Sequence, residues 1–309
     1  KPKAINKQLK YLDISGKTND TCPKHINRVE GLEFLDTRES LAKPLPIEFG
    51  GLANLQELDL SSRREVKLPS SFKDLGNLKK ITAHNYSIFS DLTNFTILGD
   101  LAQLEYLEAS IMKRFIKKNT LSKLKNLRVL DMTTEDAPNL ELLFEELASC
   151  EKLIALDFSF SYLTDLPENI SLLSNLEYLD LGYNKLKKLP EGIGQLSKLK
   201  DLNIANNEIS ALPESIGRLA NLAFLTADNN AFTHLPKSIG NLKKLKALSL
   251  KKNQLTELSN RFCNLKALLE VDFKENKLQK LPNKLHRIKR LQRLKLDKNP
   301  FAVFQEMIV

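Results

Sequence analysis

Four histidines and three cysteines are the residues of this chain best suited to acid–base, nucleophilic or metal chemistry. Their spacing argues against a shared centre. His25, His84, His234 and His286 lie far apart, and Cys22, Cys150 and Cys263 have no flanking cysteine cluster. A protein metal site gathers three or four ligands at one point, and cysteine sites typically use close-spaced pairs. No nucleophile stands in a recognisable motif with a histidine and an acid. Gly192-x-Gly194 has the outline of a phosphate-loop fragment, but the rest of that fingerprint is missing. Asn19-Asp20-Thr21, Asn85-Tyr86-Ser87, Asn94-Phe95-Thr96 and Asn169-Ile170-Ser171 match the glycosylation triplet, which matters only for a secreted eukaryotic chain. The expectation is a chain that is not an enzyme, with no metal and no cofactor.

The elements that carry these residues are set by a repeat. Asn184, Asn207, Asn230, Asn253, Asn276 and Asn299 are each 23 residues apart. Each closes the phrase Leu-x-x-Leu-x-Leu-x-x-Asn-x-Leu, as in Leu176, Leu179, Leu181, Asn184 and Leu186. The central apolar residue can be followed as Leu12, Leu35, Leu58, Ile81, Leu107, Leu130, Leu156, Leu179, Leu202, Leu225, Leu248, Val271 and Leu294. Successive differences are 23, except for 26 at Ile81 to Leu107 and at Leu130 to Leu156. This register is that of the leucine-rich repeat. It predicts an α/β fold, a right-handed solenoid of about thirteen repeats with a parallel concave sheet and short helical or 3-10 turns on the convex side.

The parts of one repeat have physical reasons. The short strand alternates buried and exposed residues. A ladder of asparagines would hydrogen-bond backbone groups of neighbouring coils that are otherwise buried and unpaired. Pro190, in Leu189-Pro190-Glu191-Gly192-Ile193-Gly194-Gln195-Leu196, suits the start of a helical turn, where a missing N–H does no harm. The N-terminal half is looser, with Lys17, Ser40, Arg63, Tyr86, Met112, Glu135 and Ser161 at the Asn position. An amphipathic helix is expected over 138–147. Residues 1–309 read as one domain, with an irregular middle at about 84–150 and a C-terminal cap at about 300–309, where Pro300, Phe301, Val303 and Phe304 would cover the last coil. Lys1 begins almost inside the first repeat, so a leader or preceding domain is not excluded.

In this register the three cysteines fall on packed slots. Cys22 takes the slot of Leu189, Cys150 that of Leu196 and Cys263 that of Gly194. They read as core-filling thiols, unlike the capping disulfides of extracellular animal repeats. No run of 18 apolar residues is present, which excludes a helical membrane span. The net charge is +9, unevenly spread: residues 251–309 hold 14 Lys/Arg against 6 Asp/Glu, and 151–230 hold 7 against 11. The basic residues lack a nucleic-acid-binding motif, so no nucleic-acid partner is expected. Lys280, Lys284, Arg287, Lys289 and Arg290 read as a solvated face, with an acidic partner as the alternative.

The exposed columns of the sheet are the candidate binding surface. The residue after the central Leu is acidic for most of the chain, with Asp157 and Asp180 among its members; Leu-Asp-Leu is a common repeat phrase whose carboxylate can serve the sheet itself. Tyr106, Tyr178 and Phe224 precede central residues, while Phe160 and Tyr183 come from later positions. Phe160, Tyr178, Tyr183 and Phe224 fall on a few adjacent strands near Asp157, Asp180, Asp201 and Asp228. Strands lie ~4.8 Å apart, so these side chains are expected to form one aromatic–acidic patch. Aromatics beside charges are common interface anchors. The alternative is that they only pack on each other across strands.

Leu212-Pro213-Glu214-Ser215-Ile216-Gly217-Arg218-Leu219-Ala220-Asn221-Leu222, followed by Leu225, Asn230 and Leu235-Pro236, resembles a known subgroup. It is similar to the 23-residue repeats of Ras-associated scaffolds, plant intracellular Ras-group proteins and bacterial leucine-rich-repeat proteins, including secreted effectors. The close match covers about 156–301. The resemblance implies a horseshoe that binds a protein partner without a cofactor. The alternative is the substrate-recognition domain of a larger bacterial effector or signalling enzyme whose catalytic part lies outside this chain. A monomer is expected. The setting is read as cytoplasmic (host cytosol for an effector), with a bacterial secreted or cell-surface protein as the alternative.

Overall fold

In the computed structural model, residues 8–16, 22–23, 25–39, 45–61, 67–83, 96–110, 116–133 and 139–301 are described. Thirteen parallel strands follow one another in chain order: β1 (Tyr11–Asp13), β2 (Phe34–Asp36), β3 (Glu57–Asp59), β4 (Lys80–Ala83), β5 (Tyr106–Ser110), β6 (Val129–Thr133), β7 (Ala155–Asp157), β8 (Tyr178–Asp180), β9 (Asp201–Asn203), β10 (Phe224–Thr226), β11 (Ala247–Ser249), β12 (Glu270–Asp272) and β13 (Arg293–Lys295). Every central apolar residue inferred from the period lies inside its strand. The fold is a leucine-rich-repeat solenoid. The chain forms two compact units, Lys1–Leu156 and Asp157–Val309, with the division inside β7.

In the first unit the strand centres pair as Leu12 with Leu35, Leu35 with Leu58, Leu58 with Ile81, Ile81 with Leu107 and Leu107 with Leu130. These side chains are almost completely removed from water apart from Leu12, as are the stacked Phe49 and Phe72 beneath them. A helix, α1 (Leu140–Leu147), occupies the longer connection before β7. It starts where Asn139 Oδ1 accepts the Leu142 N–H at 3.2 Å, and it buries Leu140, Leu143, Phe144 and Leu147. Its one buried acid, Glu146, accepts N–H groups from Asn119 (2.8 Å), Thr120 (2.9 Å) and Ser122 (3.2 Å). The helix thereby caps the start of the 3-10 turn Leu121–Lys123.

The second unit is more regular. Five-residue 3-10 turns at Glu168–Leu172, Glu191–Gln195, Glu214–Arg218 and Lys237–Asn241 each follow a proline in extended conformation. Pro is favoured there because no N–H is wanted and its φ is already set. The asparagine ladder takes the expected form. Asn207 Oδ1 accepts the Leu186 N–H at 2.9 Å, while its Nδ2 donates to the carbonyls of Leu181, Ile204 and Ala205. Asn184, Asn230, Asn253, Asn276 and Asn299 repeat this scheme. Main-chain groups in the interior of a stack are therefore paired, as burial requires.

Two further ladders were not foreseen from the sequence. Asn54, Asn77, Asn126 and Asn221 donate through Nδ2 to the carbonyls of Glu30, Ala53, Ala102 and Ser197 in the preceding coil. On the turn side, Glu168 accepts from the Glu191 and Gly192 N–H groups, Glu191 from Ser215, and Glu214 from Lys237 and Ser238. The Leu-Pro-Glu phrase thus caps the next turn. Gly192 sits so close to this cap that an added Cβ would lie 2.3 Å from the Glu168 carbonyl oxygen.

Cys22, Cys150 and Cys263 are free and buried, as their slots required. The Cys150 thiol donates to the Leu121 carbonyl oxygen at 3.3 Å. Burial pushes Cys22 up to about 12 and Cys150 up to about 11. Several expectations lie outside the described residues. These are the substitutes Lys17, Ser40, Arg63, Tyr86, Met112 and Glu135, together with His84, Lys1, Val303, Phe304 and, within the 84–150 segment, residues 84–95, 111–115 and 134–138.

Candidate functional site

The exposed sheet face of the second unit is built from columns that the register fixes. Tyr178 of β8 pairs with Asp201 of β9, and Asp201 pairs with Phe224 of β10. A carboxylate is therefore flanked by two rings on adjacent strands. Two residues along, Asp180 pairs with Asn203. The Asn203 amide donates to both Asp180 oxygens, at 3.0 and 2.9 Å, and the Gly182 N–H donates to Asp180 Oδ1 at 2.7 Å. Asp157 accepts the Ser159 N–H at 2.7 Å in the same way. Much of the aspartate column thus stabilises its own turn, as Asp59 does for Ser61 and Asp272 for Lys274.

The electrostatics of this patch differ from the rest of the face. Burial pushes the Asp180 carboxyl up, with Asp157 adding to the shift, and the Gly182 N–H and Asn203 amide oppose it. Asp201 is raised by burial and by Asp180. Among the described residues no Lys or Arg forms an ion pair with Asp157, Asp180 or Asp201. Elsewhere on the sheet acids have cations, as in Lys200–Glu177 (2.6 Å), Lys295–Glu270 (2.8 Å) and Lys274–Asp297 (2.9 Å). Asp228 is engaged differently, accepting the Lys251 N–H at 2.8 Å and the Ser249 hydroxyl.

The last column comes from a left-handed residue that closes each strand. Phe160, Tyr183, Asn206, Asn229, Lys252, Glu275 and Lys298 all have φ between 53° and 59°. Asn is among the non-glycine residues that tolerate this conformation best. At 160 and 183, aromatic rings stand there instead. They stack at 4.2 Å with an interplanar angle of 11°, and are 57% and 53% exposed. Tyr162, also left-handed and exposed, lies beneath the Lys185 ammonium, 5.4 Å from its ring centre. Tyr162 was missed by the repeat reading because it lies beyond the expected exposed positions. Its signal was a Tyr where the next repeats place Lys185 and Glu208. Of the eight large exposed apolar side chains among the described residues, five fall at 160, 162, 178, 183 and 224. A local concentration of this kind marks an interaction surface more strongly than isolated exposed residues do.

The structure brings Asp157, Phe160, Tyr178, Asp180, Tyr183, Asp201, Phe224 and Asp228 onto one unit. The rings form two groups: Phe160 with Tyr183, and Tyr178 with Phe224 astride Asp201. Gly182 and Ala205, which carry almost no side chain, lie among them. Tyr106 belongs to the first unit. There its hydroxyl donates to Glu108 at 3.2 Å and the Lys80 ammonium sits 5.0 Å from its ring centre.

The family described as leucine-rich repeat region matches residues 5–166 and again 147–250. This chain is a leucine-rich-repeat protein. A leucine-rich-repeat protein of Leptospira interrogans is 27% identical, with a TM-score of 0.74 over 97% of this chain and 87% of that one. A plant peptide hormone receptor solved with its peptide RGF2 is 25% identical, with a TM-score of 0.67, over 90% of this chain but 45% of the receptor. An internalin from Listeria monocytogenes, 20% identical with a TM-score of 0.65 over 96% of this chain and 88% of that one, shares the fold. No curated protein matches the sequence. Leucine-rich-repeat domains are commonly protein-interaction modules, generally without catalysis. Among the described residues, no group of three or more His, Cys, Asp and Glu could hold a metal ion. No described helix is long and apolar enough to cross a membrane.

Proposed function

We propose that this protein is a non-catalytic module that binds a protein partner on the concave face of its second unit, across Asp157, Phe160, Tyr178, Asp180, Tyr183, Asp201, Phe224 and Asp228, with Tyr162 added. The observation that carries this reading is the exposed Phe160–Tyr183 stack, at positions whose backbone favours a small polar residue, beside carboxylates without a cation. A partner segment offering Lys or Arg together with apolar side chains complements such a surface. Tyr106 would be a separate contact on the first unit. The peptide seen with the plant receptor supports the class of function. The Leu-Pro-Glu-Ser-Ile-Gly phrase supports the intracellular-scaffold or bacterial-effector resemblance. The 23- or 26-residue spacing, which runs from Leu12 to Leu294, supports reading residues 1–309 as one domain. A second reading, recognition domain of a longer signalling chain, draws on the receptor, of which this chain spans 45%.

The test places a photo-crosslinking residue at position 183 or at position 289 and identifies the adducts by mass spectrometry. Adducts are expected from 183. Tyr183→Ala or Phe224→Ala should then weaken the identified partner by ~2 kcal/mol or more, the size of an interface hot spot. Asp201→Asn should chiefly slow association and flatten its salt dependence. Adducts confined to 289, with aromatic variants binding normally and Lys289→Glu abolishing binding, would overturn the proposal.

A further inference from the structure

A pocket of about 560 Å³ lies on the other side of the second unit, where the 3-10 turns run. It is lined by Cys263, Asn264, Lys266, Arg287 and Lys289. Since 287 minus 264 and 289 minus 266 both equal 23, these are the same two positions of adjacent repeats, with a lysine repeated at 266 and 289 and Asn264 followed by Arg287. Asn264 and Arg287 each end a 3-10 turn, Phe262–Asn264 and Leu285–Arg287.

The charge around this pocket is one-sided. Segments 258–269 and 282–291 contain six Lys/Arg residues and no Asp or Glu. The glutamates that start earlier turns, at 168, 191 and 214, give way at the equivalent positions to Lys237, Asn260 and Asn283. Lys266, Arg287 and Lys289 enter no ion pair among the described residues. The sheet-side cations of the same repeats do, as in Lys274–Asp297, Lys295–Glu270 and Lys298–Glu275. Burial pushes the Cys263 thiol up, against the opposing pull of Arg287 and Lys284. A positive field that the fold leaves uncompensated attracts anions.

We propose that this pocket binds a small organic anion bearing phosphate or sulfate groups. Arg287 supplies a planar fork that fits two oxygens of such a group, Lys266 and Lys289 supply point charges, and the Asn264 amide adds a neutral donor. The volume is that of a small-molecule site and larger than one inorganic phosphate needs. The aromatic face plays no part in this site, so the inference stands independently of the partner proposed above.

Isothermal titration of the full chain at fixed ionic strength tests it, with pyrophosphate and inositol hexakisphosphate as probes and chloride as the control. Vesicles of phosphatidylcholine, with and without phosphatidic acid, separate a lipid headgroup from a free anion as the source. The expected result is saturable one-to-one binding of a probe anion, weakened about tenfold or more by Arg287→Gln with Lys289→Gln. Lys237→Gln, exposed and outside the pocket, should bind as the parent does. These side chains are exposed, and an unchanged denaturation midpoint confirms that the variants fold. Absence of binding by every probe and vesicle overturns the proposal. So does equal weakening by Lys237→Gln, which would mark diffuse charge attraction.

Discussion

Replacing Asn207 by Ala isolates what the asparagine ladder contributes. Asn207 makes four bonds, one as acceptor from the Leu186 N–H and three as donor. The carbonyls it serves are partly shared. Leu181 O also receives the Asn184 amide at 3.0 Å, and Ile204 O receives the Asn230 amide at 2.8 Å. The Leu186 N–H has no second acceptor among these bonds. The variant should therefore strand one buried donor, at ~1–3 kcal/mol, and lose net hydrogen bonding of about 1 kcal/mol more. The expected total is about 2–4 kcal/mol. Urea denaturation measures it as a lower midpoint with an unchanged slope. Asn299→Ala should cost less, because that residue is only half-buried and water can reach its partners. Lys252→Ala, on an exposed position, should stay within ~0.5 kcal/mol. Equal shifts for Asn207→Ala and Lys252→Ala would refute the reasoning.

Cys22, Cys150 and Cys263 should resist alkylation in the native protein and react in urea, read by mass spectrometry; rapid native labelling of Cys150 would contradict its buried bond to Leu121. Burial works to raise the Glu146 carboxyl, but three N–H donors hold it below its ordinary value. Its contribution is thus present above the unfolded carboxylate's titration near pH 4.5 and lost as pH falls through the depressed folded value. Glu146→Gln should destabilise by ~1–3 kcal/mol near neutral pH, and this gap should narrow on acidification in urea melts at stepped pH. Gly192→Ala should cost ~1–3 kcal/mol by forcing its Cβ against the Glu168 carbonyl, whereas Gly76→Ala, with its nearest neighbour at 4.0 Å, should cost much less by the same denaturation assay.

The period alone located the strand centres, because a one-residue slip would move each core Leu to the wrong face. It also assigned the buried thiols and α1. The bonds of Glu146, Glu168, Glu191 and Glu214 were not legible. They depend on which backbone N–H a long side chain reaches in a different coil, and spacing carries no information on that reach. The site was half legible. The register could list Tyr178, Phe224 and Tyr183 as exposed. It could not show that Phe160 and Tyr183 stack, that Tyr162 joins them, or that Asp228 is tied to the next strand.

The left-handed residue at the end of each strand is held by its main chain. Tyr183 N donates to Ala205 O at 2.9 Å, Asn206 N to Asp228 O at 2.8 Å and Glu275 N to Asp297 O at 2.9 Å. Its side chain takes no part in those bonds, and Phe, Tyr, Asn, Lys and Glu occupy the site in turn with φ differing by a few degrees. The side chain at this position is thereby uncoupled from the main-chain bonds that join it to the next coil. Exchanging the side chain in one coil therefore leaves the main-chain bond of that coil in place. A library randomised at 160, 183, 206, 229 and 252 would vary the exposed face while keeping these main-chain bonds, giving up only local contacts such as the Phe160–Tyr183 stack and the Asn229–Asn206 side-chain bond.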